Sequence, residues 1–189
     1  MLGSGFGILL RTRGYGLGWA LAMSAFIYAG SMQYVAIDLL TGGASLLTTA
    51  VTTLLVNARH LFYGISMLER YRAAGKYAPY LIFSLTDETY SLVAAREDLT
   101  GAECFRISLL DQLYWVLGTA LGSLAGAYLD FNTTGIDFSL TALFLTVFTE
   151  QWLETKNHAP ALIGLGVSIV CRLLFGADSF LLPTMGGML

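Results

Sequence analysis

Arg59 and His60 stand inside an apolar run, residues 44–68, that carries no other charge. An arginine in hydrocarbon costs about 2.5–3.5 kcal/mol on insertion scales and roughly 10–17 kcal/mol in simulations, so such groups persist where they find partners or line a polar cavity. On a helix Asn57, His60 and Gly64 fall on one face, and Arg59 and Tyr63 share the adjacent face. A second polar island, Thr86-Asp87-Glu88-Thr89, interrupts another apolar stretch downstream. A cation in one span and two acids in the next predict a buried polar site between neighbouring helices. His60 titrates near physiological pH in its unperturbed state and is a candidate proton relay. The competing reading of the same residues is an Arg59–Asp87 ion pair that only ties two helices together.

The elements that position these residues follow from composition. The chain has 189 residues, 56% hydrophobic and 12% charged, with a mean hydropathy of +0.66. A soluble domain carries about 25% charged residues. Half that charge, in long apolar runs, predicts an all-α polytopic integral membrane protein of about five to six membrane helices. Twenty-one glycines suit close helix packing in lipid. A net charge of −3 argues against nucleic-acid binding. Cys104 and Cys171 form no CxxC pair and suggest neither a disulfide framework nor a zinc site. No cofactor or metal is expected. An HExxH, a GxSxG and a cluster of Cys and His ligands are all missing from the sequence, which speaks against a membrane-embedded enzyme. Asp87 and Glu88, adjacent in sequence, point to different helix faces and make a poor catalytic dyad.

Along the chain, residues 1–10 form an apolar fragment too short to cross alone, followed by the basic turn Arg11-Thr12-Arg13. Residues 14–40 read as a clean span with a small-residue stripe at Gly14, Gly18 and Ala22, and with Gln33 as an interhelical hydrogen-bonding group. Residues 44–68 read as a second complete span. Residues 80–95 are short and polar for a lone span and predict a helix that faces protein, or is broken or re-entrant. Residues 107–129 span, with Asp111 and Gln112 one turn in, and with Gly118, Gly122 and Gly126 at four-residue spacing as a helix-packing face. An acidic loop over 130–137, an apolar run toward Trp152, a surface histidine at His158 and a span over 159–175 complete the pattern. Both ends read as incomplete membrane elements of a single transmembrane domain over 1–189, truncated at both ends. Basic residues on short loops place the Arg11 and Arg70 loops on the cytoplasmic side. No inverted repeat is visible.

Three motifs occur in order: Tyr28-Ala29-Gly30-Ser31-Met32-Gln33, then Leu54 through Gly64 with Asn57-Ala58-Arg59-His60, then Leu85-Thr86-Asp87-Glu88-Thr89-Tyr90. With Trp115-Val116-Leu117-Gly118-Thr119 and Asp137-Phe138, they resemble the AzlC family, the large subunits of branched-chain amino-acid exporters. The resemblance runs over roughly residues 5–175. It implies a multi-spanning inner-membrane protein that exports amino acids such as valine, together with a small hydrophobic partner of the AzlD type. Family members carry more of a first helix and a longer final segment. For a zwitterionic substrate, Arg59 can hold the carboxylate through a bidentate fork. Asp87 or Glu88 can hold the ammonium or carry a coupling proton, and Gln33 and Asn57 can supply neutral hydrogen bonds. A non-transporting structural subunit is the alternative that the short ends keep open.

Overall fold

The computed structural model describes residues 2–94, 96, 98–128, 135, 138–154, 157–176, 183, 184 and 187. Among them all regular structure is helical. The chain divides into two compact units, Met1–Leu140 and Thr141–Leu189.

In the first unit, α1 (Leu2–Thr12) buries Phe6, Leu9 and Leu10 together with Gly3 and Gly7. Its glycines lie directly against the backbone of α8 (Gly101–Tyr128). A Cβ on Gly7 would stand 2.2 Å from the Thr119 carbonyl oxygen, and one on Gly122 would stand 2.0 Å from that of Ser4. Gly118 and Gly126 face Ser4 and Ile8–Arg11 at more ordinary distances. Without a hydrophobic driving force in lipid, helices gain from this close backbone approach, which only small residues permit. The stripe expected at Gly14 and Gly18 does no such work. Gly14 makes a turn at φ +92°, and a Cβ added at either position would meet none of the described residues within 4 Å.

Each of the next three apolar runs is broken near its middle. The first consists of α2 (Leu17–Ala22), a π-helical turn (Met23–Ile27) and α3 (Gly30–Thr41). Tyr28, between the last two, sits in the left-handed region at φ 41°, a conformation that side chains with a Cβ rarely adopt. The Tyr28 amide reaches back to the Met23 carbonyl, and Gln112 Nε2 from α8 donates to the Ala25 carbonyl at 3.2 Å. The break is therefore compensated by a side chain from another helix, as a buried backbone requires.

The second run starts at Ser45, whose hydroxyl accepts the Thr48 amide and caps α4 (Leu46–Val56). Thr49 and Thr53 return their hydroxyls to the carbonyls one turn earlier. Asn57 and Ala58 end α4, and α5 (Arg59–Ala73) begins at once with tight bonds from the His60 and Leu61 amides to the Asn57 and Ala58 carbonyls. The third run is α6 (Ala78–Phe83), opened by Pro79, followed by Ser84-Leu85-Thr86 and α7 (Asp87–Ala94). Thr86 and Thr89 exchange bonds between hydroxyl and amide in both directions, and the Thr89 hydroxyl also takes the Ser84 carbonyl at 2.9 Å. This closes α7 at its N-terminus. Arg70 of α5 closes its other end by donating to the carbonyls of Val93, at 2.6 Å, and Arg96.

The expected unbroken spans over 14–40 and 44–68 are thus corrected to pairs of half-helices, and the break expected as one option over 80–95 is present. No helix among the described residues is by itself long and apolar enough to cross a membrane. α8 has 28 residues but carries Glu103, Arg106 and Asp111. Its start is capped by Thr100, whose hydroxyl and amide both bond to Glu103 and hold that exposed carboxyl below its ordinary value. Two cores form in this unit, one of Phe6, Leu10, Met23 and Ile37, the other of Met67, Tyr71, Leu81, Val93 and Cys104.

The second unit holds most of α9 (Phe138–Glu154) and all of α10 (Ala159–Phe175). Trp152 stacks on His158 with centroids 4.1 Å apart, beside a cavity of about 500 Å³ that Phe148, Pro160 and Gly164 also line. His158, expected as a surface histidine, is half-buried under that ring. The acidic loop of 130–137, apart from Gly135, and most of the apolar segment after Gly176 lie outside the described residues.

Candidate functional site

Ser31, Arg59 and Asp87 each occupy the first turn of a helix that restarts after a break: α3, α5 and α7. These three residues meet. Arg59 Nη2 lies 2.8 Å from Asp87 Oδ2 and also donates to Ser31 Oγ. The Tyr63 hydroxyl, one turn along α5, donates to Asp87 Oδ1 at 2.9 Å. Asp87 is therefore gripped at both oxygens. Arg59 and Asp87 are each about one-quarter exposed, 26% and 25%, so the pair is neither sealed in a core nor free in solvent.

The electrostatics are uneven. A helix N-terminus carries a partial positive charge, worth about 0.3–1 kcal/mol to a nearby anion and adverse to a cation by the same reasoning. Asp87 has the favourable position on α7, whereas Arg59 has the unfavourable one on α5. Three such ends converge on the guanidinium, and the place favours an anionic partner.

Around the pair, Tyr63 stacks on Tyr90 at 4.3 Å, and Ser66 donates to the Tyr90 hydroxyl. His60 lies edge-on to Tyr63 at 5.7 Å, and its Nδ1 lies 3.2 Å from the Asn57 carbonyl. The Asn57 side-chain oxygen is buried with no hydrogen-bond partner among the described residues. Asn57 and His60 thus adjoin the pair through the α4–α5 break.

Two other expected site residues go elsewhere. Gln33 is fully buried, but its Nε2 donates to Ser24, which donates in turn to Thr119 of α8 at 2.9 Å. Its Oε1 has no partner among the described residues. Glu88 is half-buried in the first turn of α7 beside Asp87, within electrostatic reach of Asp111 and Tyr28. This second polar region was not expected as a site. It contains Tyr28, whose hydroxyl donates to Asp111 Oδ2 at 2.7 Å, and Tyr80, whose hydroxyl donates to Gln112 Oε1 at 2.6 Å. Asp111 and Gln112 within an apolar run were its available signal. The tyrosines gave none, because hydropathy reads them as ordinary span residues. Gly118, Gly122 and Gly126 lie outside both polar regions, against α1. No group of His, Cys, Asp and Glu among the described residues is placed to hold a metal ion.

Comparison with known proteins bears on what such a site serves. Residues 1–129 match the family model described as "AzlC protein". Over 189 residues the chain is 46% identical to the "Branched-chain amino acid transport protein AzlC" of Bacillus subtilis, which covers 97% of this chain and 74% of that protein. It is 44% identical over 186 residues to an "Uncharacterized membrane protein" of Helicobacter pylori, covering 96% of this chain and 82% of the relative. It is 29% identical over 172 residues to the "Inner membrane protein YgaZ" of Escherichia coli, covering 84% and 70%. No solved structure matches. With the family model covering more than half of its length and the Bacillus relative covered over most of its own, the chain belongs to the AzlC family.

Proposed function

We propose that this chain is the large, multi-pass subunit of a secondary exporter of branched-chain and similar apolar amino acids such as valine, in the inner (plasma) membrane. In this reading it acts with a small hydrophobic subunit of the AzlD type and is not an enzyme. The observation that carries the reading is the Arg59–Asp87 pair at three restarted helices. The name of the Bacillus relative supports the substrate class. Breaks at membrane depth expose backbone and helix ends, and such irregular backbone is tolerated where it is buried in protein or lines a cavity.

The proposed cycle uses the groups already in place. The substrate carboxylate takes the Arg59 fork from Asp87, favoured by the three helix ends around it. Asp87 stays held by Tyr63 and becomes the counter-ion of the substrate ammonium. Asn57 offers its unpaired side-chain oxygen to the ammonium, and His60 beside it relays a proton. Glu88, next to Asp87 on α7, and Gln33, through Ser24, act one layer away.

The test is efflux of preloaded valine, leucine and methionine from cells that express the chain with and without an AzlD-type subunit. Efflux is expected only with both. Arg59→Ala is expected to abolish it, and Arg59→Lys to lower it by about tenfold or more through loss of the fork. Both variants should remain in the membrane at wild-type amounts. A structural reading has one observation in its favour, the full occupation of both Asp87 oxygens by Arg59 and Tyr63. Loss of assembled protein in Arg59→Ala, with efflux per molecule unchanged, would establish that reading instead.

A further inference from the structure

We propose that Asp111, hydrogen-bonded by Tyr28, is a proton-binding station of this protein, separate from the Arg59–Asp87 pair and controlling the break at Tyr28. The role in transport rests on the function proposed above; the proton site itself does not.

Asp111 lies on α8, half-buried, and its one hydrogen-bond partner among the described residues is the Tyr28 phenol. The titratable group in contact with it is Tyr28, from the end of the π-helical turn; Tyr80 of α6, bonded to the adjacent Gln112, and Glu88 of α7 lie within electrostatic reach. Farther along α8, α5 brings Tyr71 near Cys104, the turn before α6 brings Tyr77 onto Phe105, and α1 brings Arg11 to Gly126. No cation among the described residues pairs with Asp111 or Glu88. Two carboxylates and two phenols in a half-buried place call for a positive charge, and a phenol cannot supply one.

A second observation is independent of this charge count. Ser108, fully buried one turn earlier on the same face of α8, carries a hydroxyl without a partner among the described residues. On the other side of Asp111 the Trp115 indole N–H and the Ser123 hydroxyl are likewise buried and unpartnered, flanking Thr119 and its bonds to Ser24 and Gln33. Helical spacing places all of these on one inward seam of α8. The hydroxyls of Ser108 and Ser123 can each donate and accept, whereas the Trp115 indole can only donate.

The consequence lies in the backbone. Asp111 and its neighbour Gln112 both hold the first break, one through the Tyr28 phenol and the other through the Ala25 carbonyl. A hydrogen bond to an ionised carboxylate is roughly twice as strong as one to a neutral acid. A proton arriving from one aqueous side forms an O–H bond on Asp111 and weakens that grip. Its departure to the other side restores the carboxylate, and no other bond is made or broken.

The test uses the purified full chain in lipid nanodiscs and pH-induced infrared difference spectra, which need no substrate. A protonated-carboxyl band should titrate in the wild type, vanish in Asp111→Asn, shift in Tyr28→Phe and Asp111→Glu, and persist in Asp87→Asn. A band unchanged in Asp111→Asn, or no such band in the wild type, would overturn the proposal. In liposomes with the subunit, Asp111→Asn should keep valine exchange at equal pH while net movement driven by a pH gradient falls by about tenfold or more. Loss of both together would overturn the coupling role. A titrating Asp111 in a protein that carries no valine would leave the proton site standing and remove the substrate assignment.

Discussion

Tyr63 shows how much of the candidate site rests on single side chains. It holds one Asp87 oxygen while Arg59 holds the other, and its ring lies flat on Tyr90. A hydrogen bond to a charged group is worth about 1.5–3 kcal/mol. Tyr63→Phe keeps the stack and removes that bond, so Asp87 is expected to swing on Arg59. Valine efflux should fall by about tenfold or more, with the amount of membrane-inserted protein unchanged on immunoblots. A stable protein with undiminished efflux would remove Tyr63 from the site. Arg59 and Asp87 were legible in the sequence because charge of opposite sign stood in adjacent apolar runs. The bond from Tyr28 to Asp111 joins residues 83 positions apart, and no local pattern announces a contact of that kind. Gln33 was legible as a polar group in a span, but its partner Ser24 lies in a turn that hydropathy cannot see.

At the scale of elements, the α1–α8 contact and the three breaks carry the fold. Gly122 leaves no room, with Ser4 backbone 2.0 Å from the place of a Cβ, whereas Gly118 has 3.5 Å to its nearest neighbour. Gly122→Ala must push two backbones apart, at a cost on the order of 1–3 kcal/mol or more. Gly118→Ala fits at ordinary contact distance and gains helix propensity of roughly 0.8–1.0 kcal/mol. Melting in detergent, followed by fluorescence-detected size exclusion, is expected to drop by several degrees for the first and to hold or rise for the second. Equal melting would mean that α1 and α8 do not pack through glycine. The four-residue glycine spacing on α8 was readable because close helix contact selects small residues along one face. The same spacing at Gly14, Gly18 and Ala22 misled, since Gly14 belongs to a turn. The breaks at Tyr28 and Asn57 were not readable. No proline marks them, and apolar content is the same on both sides of a half-helix as within a whole one.

For the molecule as a whole, the outer surface of the first unit is apolar. Leu46, Leu47, Leu54, Leu61 and Ile65 are each between 69% and 90% exposed, far more apolar surface than a soluble monomer shows. Helix class and bilayer character were legible from composition alone, because the charge content is half the ordinary one. Washing membranes at alkaline pH is expected to leave the chain in the pellet and neutral detergent to release it. Release by the alkaline wash would place it at the surface rather than within the bilayer. One contact also sets a timetable. Gly7 packs on the Thr119 turn, more than a hundred residues later in the chain. At a synthesis rate of roughly 5–20 residues per second, α1 waits about 6–20 s for that turn to be made. During that interval the glycine face of α1 lacks the helix it packs on, so this close contact closes only after more than a hundred further residues have been made.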